Sequence, residues 1–249
     1  MLFERKNLDI RMKRHNFASL FLAALPLLAS CDDGRIYPET VAAQEGKVVK
    51  LEGVLEGMDS WSGSYHLAIA GFSDGNGEYA DISKIITATD VQDGRASIVL
   101  SGIKEDIVEV RLCVLDRLRR HIVTFESVDV TAASDTVRMN VGTRNVGMFG
   151  AIQQSVFNTT CANCHGASNE AAAGLYLTEG RSYAAMVGQP SLKVEGHHIV
   201  EPAAADKSVL YLALAGDISA AWRYNHQSEV TSTDMLLLIS NWINNGAKE

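Results

Sequence analysis

Residues 108–115 read Val-Glu-Val-Arg-Leu-Cys-Val-Leu. Val108, Val110, Leu112 and Val114 share one parity, and Glu109, Arg111, Cys113 and Leu115 share the other. Successive side chains of an extended chain point to opposite faces, so this run predicts a strand with one continuous apolar face. The same period of two recurs on either side. Val49, Leu51 and Leu55 are interleaved with Lys50, Glu52 and Val54, and Tyr65, Leu67 and Ile69 with His66, Ala68 and Ala70. Further strands are expected near 98–100, 122–130 and 137–141. Ser73-Asp74-Gly75-Asn76-Gly77 and Gln92-Asp93-Gly94 supply turn chemistry between them.

Several short alternating strands over some 95 residues predict an all-β sandwich, immunoglobulin-like, spanning 47–144. It contains no evident catalytic cluster. The pattern changes near Asn145. Val146, Phe149, Ile152, Val156 and Phe157 recur at helical spacing, and Val209, Leu210 and Leu212 predict a second helix. Met235, Leu236, Ile239, Trp242 and Ile243 form the clearest helical stripe, with Ser232, Thr233 or Asp234 as its cap and Gly246 as its stop. The expected fold class is therefore two-domain, an N-terminal all-β sandwich followed by an all-α domain over 145–249.

The chain has 249 residues, of which 47% are hydrophobic and 21% charged, enough apolar material for a real core. Its formal charge of −8 argues against a nucleic-acid partner, which needs a basic face. The N-terminus reads as an export signal: basic residues at Lys13 and Arg14, an apolar run over 17–28, then small residues before Cys31. That run is shorter than the ~20 residues a bilayer span takes. Glu4 and Asp9 suit such a signal poorly, which points to a start at Met12. Leu28-Ala29-Ser30-Cys31 resembles the lipobox of bacterial lipoproteins. The resemblance implies removal of 1–30, a lipid on Cys31 and a linker over 32–46. Losing 1–30 takes the formal charge to −11. The expected location is the cell envelope, on a membrane through the lipid anchor. A plain signal peptide with a chance cysteine is the alternative.

Four cysteines, at 31, 113, 161 and 164, make no disulfide framework. Cys161-Ala162-Asn163-Cys164-His165 is instead a C-x-x-C-H sequence, the attachment signal for haem c. Two cysteines on one turn reach two vinyl groups along one porphyrin edge, and the adjacent histidine can meet the iron. A redox dithiol is one competing reading, but the βαβ setting of such sites is missing. Zinc is another, but a second C-x-x-C is missing too. Chance occurrence is the third. One covalent haem c, held by Cys161, Cys164 and His165, is the expectation.

The stretch from about Val156 to Ala247 resembles the single-haem cytochrome c domains of exported bacterial proteins known as planctomycete-type. The resemblance is carried by Val156-Phe157, Cys164-His165-Gly166, Gly174-Leu175-Tyr176-Leu177, Ser208-Val209-Leu210-Tyr211-Leu212 and Ile239-Ser240-Asn241-Trp242-Ile243-Asn244-Asn245-Gly246-Ala247. It implies a helical, cytochrome c-like fold wrapped on haem and a role in electron transfer. Phe157, Leu175, Leu177 and Trp242 are then expected in the pocket wall, with Leu210 and Ile243.

In one respect the sequence departs from that pattern. Such domains usually carry Met-Pro some way before the tryptophan, and that methionine is the second iron ligand. Here the region reads Trp222-Arg223-Tyr224-Asn225-His226-Gln227. His226 is the leading candidate for the distal ligand. Met186, His197, His198 and Met235 are rivals, as is an open position. Replacing methionine by histidine implies a lower reduction potential. The resulting expectation is a membrane-anchored carrier of single electrons between redox partner proteins, rather than an enzyme. A haem enzyme or gas sensor with an open axial site, and a lipoprotein whose β-region recognises a glycan or protein, are the alternatives.

Overall fold

The computed structural model describes residues 46–61, 63–133, 135–166, 170–216 and 218–249. The export signal, Cys31 and the linker lie outside the described residues. Eight strands form: β1 (Lys47–Glu56), β2 (Tyr65–Phe72), β3 (Ile82–Ile85), β4 (Val91–Gln92), β5 (Arg95–Ile103), β6 (Glu109–Asp116), β7 (His121–Asp129) and β8 (Thr136–Asn145). They make two four-stranded sheets of order β4-β5-β1-β8 and β3-β2-β6-β7. All the pairings are antiparallel except β1 with β8, which run parallel from Val48↔Thr136 to Glu56↔Asn145.

The alternation is clean on β5, where Ala96, Ile98 and Leu100 are buried and Arg95, Ser97 and Val99 face solvent. Strand β6 is buried on both sides. Val110, Leu112 and Val114 enter the core shared by the two sheets. Cys113 and Leu115 join Ala68, Ala70, Phe72 and Ala80 in a second cluster on the outer face. Two covered faces explain why this strand carries apolar residues at both parities.

After β8 the described residues form four short helices: α1 (Met148–Ile152), α2 (Ser182–Met186), α3 (Val209–Ala215) and α4 (Thr233–Asn244). A π-helical turn, Gln153–Phe157, continues α1. Only α4 is long enough to show a full amphipathic face. The Ser232 hydroxyl caps its start, and Leu238, Ile239, Trp242 and Ile243 are buried. No helix among the described residues is long and apolar enough to cross a membrane.

These elements correct the expected fold class. The described chain is mainly β, and residues 145–249 do not form an all-α cytochrome c-like domain. Three of the four helices span five to seven residues, and single 3-10 turns and irregular chain fill the rest. Helices that short cannot enclose a core of their own. Their apolar residues join the same core as the sandwich, so that Val49 and Leu112 belong to one cluster with Phe149, Phe157 and Trp242. Polar contacts reinforce this junction. The Trp61 indole N–H donates to the Val146 carbonyl at 2.6 Å, the Met148 N–H to Ser60 Oγ at 2.7 Å, and the Asn241 amide to the Tyr65 hydroxyl at 3.0 Å. Residues 46–249 therefore fall within one compact unit.

Candidate functional site

The π-helical turn delivers the chain to a tight 3-10 turn, Cys161–Asn163. The N–H groups of Cys164 and His165 both donate to the Cys161 carbonyl, at 3.2 and 2.9 Å. This folding places Cys161, Cys164 and His165 on the wall of one cavity of about 900 Å³. Its other walls are mainly apolar and include Leu175, Leu177, Ile199, Leu210 and Leu214. The volume lies at the large end of the ~300–1,000 Å³ typical of ligand and cofactor pockets.

The chain folds back after His165 and fixes its ring. The Ala172 N–H donates to the Cys164 carbonyl at 2.9 Å, and the Leu177 N–H to the His165 carbonyl at 2.7 Å. His165 Nδ1 lies 3.0 Å from the Ala172 carbonyl oxygen. A carbonyl can only accept, so Nδ1 carries the proton there and Nε2 keeps its lone pair. Ligating histidines are held in this way by their other nitrogen. Behind this loop, buried Gln153 donates to the Leu177 carbonyl at 3.0 Å and to Asn158 Oδ1 at 2.7 Å, and accepts from the Ser182 hydroxyl.

His226 lines the same cavity from the chain between α3 and α4. Its ring centroid is 6.1 Å from that of His165, with 33° between the ring planes. That separation is within the reach of two imidazoles that share one metal ion through bonds of about 2.0–2.1 Å. Trp222 and Tyr224 meet the His226 ring edge-on at 5.7 and 5.1 Å. Its Nδ1 is buried with no hydrogen-bond partner among the described residues. Burial, and then the neighbouring His165, hold the His226 ring below its ordinary pKa. Both effects favour the neutral imidazole that binds metals.

Cys161 is poorly placed to act as an attacking thiol. Burial, reinforced by Glu229 and Cys164, pushes the Cys161 thiol up to about 11. An attacking thiol needs the opposite shift. Among the described residues no three His, Cys, Asp or Glu side chains converge to hold a bare metal ion.

The remaining expected residues divide between the cavity and the core. Leu175, Leu177 and Leu210 line the cavity. Phe157, Trp242 and Ile243 do not, because they are buried in the shared core. Phe149 packs against both Phe157 and Trp242, with ring centroids at 6.2 and 5.1 Å, and Trp242 also borders a small cavity of about 200 Å³ near Trp61. None of the rival ligands reaches the large cavity. Met186 is fully buried in the core, and Met235 packs against that core from α4. His198 pairs with Glu201, and His197 Nδ1 lies 3.2 Å from the Glu195 carbonyl.

Sequence reasoning passed over Trp222, Tyr224 and Ser219. The alternating aromatics of Trp222-Arg223-Tyr224-Asn225-His226 were the available signal for the first two. No protein-family model matches the chain, and no curated protein or solved structure matches it either.

Proposed function

We propose that this chain is an exported, lipid-anchored c-type cytochrome that carries single electrons between partner proteins. The supporting observation is the convergence of Cys161, Cys164, His165 and His226 on one large apolar cavity, with the two imidazoles 6.1 Å apart. Haem c, when bound, supplies an iron that gains and loses one electron. Cys161 and Cys164 would hold it through thioether bonds. His165, oriented by the Ala172 carbonyl, would be the proximal ligand, and His226 the distal one. Two protein ligands leave no position for a substrate, which favours carriage over catalysis. The apolar walls exclude water and lower the local dielectric, which tunes the potential. The envelope location and the membrane anchor rest on residues 12–31 of the sequence.

The mature protein, produced together with haem-attachment machinery, tests this reading. A pyridine haemochrome spectrum of the c type and a low-spin ferric spectrum are expected. Absence of covalent haem would overturn the proposal. Cys31→Ser should move the protein from the membrane fraction to the soluble fraction.

A further inference from the structure

The two histidines are held in different ways. His165 is fixed through its ring, by a carbonyl 3.0 Å from Nδ1. No described residue takes a hydrogen bond from His226 Nδ1. The main chain of His226 is tied down instead, through the fully buried hydroxyl of Ser219. Ser219 Oγ donates to the Ala213 carbonyl at 2.6 Å, lies 3.0 Å from Asn225 Oδ1, and accepts the His226 N–H at 3.2 Å. Ala213 belongs to the last turn of α3, where helix carbonyls need partners from outside the helix. Asn225 Oδ1 also accepts the Gln227 N–H at 3.0 Å, closing the turn that carries His226.

We infer that Ser219 is a positioning residue for His226, and that its hydroxyl keeps the cavity closed to small diatomic ligands on the His226 side. This rests on the proposed haem reading. The hydroxyl links the end of α3, which forms one cavity wall through Val209, Leu210 and Leu214, to the one turn presenting the distal imidazole. Without it the buried Ala213 carbonyl and the half-buried His226 N–H both lose a partner. The turn then gains freedom to swing away. Trp222 and Tyr224 meet the ring by their edges, and the Tyr224 backbone is its one polar neighbour on this turn, outside ordinary hydrogen-bond geometry at Nδ1. His165 has no comparable weak point, because Gln153 pins its loop from within the core.

The test compares the full mature holoprotein with Ser219→Ala, Asn225→Ala and His226→Ala. Carbon monoxide binding to the reduced protein, the ferric spectrum and hydrogen exchange at the His226 amide are followed, and circular dichroism monitors folding. Wild type should bind carbon monoxide slowly. Ser219→Ala should bind it roughly tenfold faster, as expected for loss of one buried hydrogen bond from the closed state, with faster exchange at His226. Asn225→Ala lies on the surface, and should move the same way by less with its fold intact. If His226→Ala loses the low-spin spectrum while Ser219→Ala and Asn225→Ala match wild type in all three readouts, the role of Ser219 is overturned and the haem reading stands. A wild-type spectrum in His226→Ala would overturn the ligation and this inference together.

Discussion

Arg120 and Asp234 meet through two parallel hydrogen bonds, Nη1 to Oδ2 at 2.8 Å and Nη2 to Oδ1 at 2.7 Å. The pair joins the turn before β7 to the first turn of α4, where a carboxylate also complements the helix dipole. Asp116 shares the guanidinium at 3.3 Å. Fork-to-fork geometry makes this a stronger bridge than most surface pairs. Arg120→Gln and Asp234→Asn should each lower the melting temperature, and the double variant should lose less than the sum. That coupling should shrink as sodium chloride is raised, because both groups are partly exposed. Thermal denaturation of the four proteins at two salt concentrations measures it.

Trp242 sits at the seam of the shared core, 2% exposed and packed on Phe149. Trp242→Ala should cost about 3–5 kcal/mol in urea unfolding, the usual range for removing a large buried aromatic. The loss should appear in one transition. Circular dichroism of the sheets and absorbance of a bound haem should change at the same urea concentration, in wild type and variant alike. Two separated transitions would show that the shared core does not couple the sandwich to the cavity.

His121 packs edge-on against Phe72, and burial, aided by nearby Arg111, lowers its pKa from 6.5 to about 4. The unfolded chain therefore takes up this proton at higher pH than the folded one. The associated stability is complete above about pH 6.5 and declines as the pH falls toward 4. His121→Gln should flatten the pH dependence of stability over that window. Below it, Asp90, Asp116 and Asp129, all held under the usual carboxylate range, should still govern the profile. Urea midpoints taken every half unit from pH 3 to 8 would separate the two regions.

Gln153→Leu should remove partners from two buried groups at once, the Leu177 carbonyl and the Ser182 hydroxyl, and from exposed Asn158. Buried groups left without partners typically cost about 1–3 kcal/mol each, so a lower urea midpoint is expected. The His165 side of the cavity should loosen as well. In a haem-loaded protein this should appear as a broadened Soret band, which Gln153→Glu should not repair, because a carboxylate cannot donate to the Leu177 carbonyl or to Asn158 Oδ1.

Strand β1 was legible because a half-buried strand must alternate, as 49–55 does, and 108–115, covered on both faces, was legible from its unbroken apolar parity. The grouping of Cys161, Cys164 and His165 was legible because three residues in one short motif fold into one turn, and that turn lines the cavity. The C-terminal fold was not. The helical spacing of Val146 to Phe157 reflects a real turn-by-turn contact with the core, but α1 stops after five residues and widens into a π turn. Between the helices, side-chain hydroxyls and amides such as Ser219 and Gln153 replace the helical ladder. Gly216, at φ +90°, ends α3 in a conformation other residues resist. Such bonds depend on which groups meet in space, and no short sequence period records them. Phe157 and Trp242 were expected beside the haem because apolar patterning marks burial without saying which cavity or core does the burying.

The parallel pairing of β1 with β8 also sets a distance. Lys47 enters at the pole shared by Phe72, Asp129 and Thr136, while Glu56, Tyr65, Asp116 and Asn145 mark the other. Every polar link to the C-terminal segment described above starts from this second pole. The first residue of β1 and the contacts that tie down the C-terminal segment are thus kept apart by a ten-residue strand, about 30 Å long at the usual rise. The sandwich is in this sense a rigid boom that sets those two poles a fixed span apart.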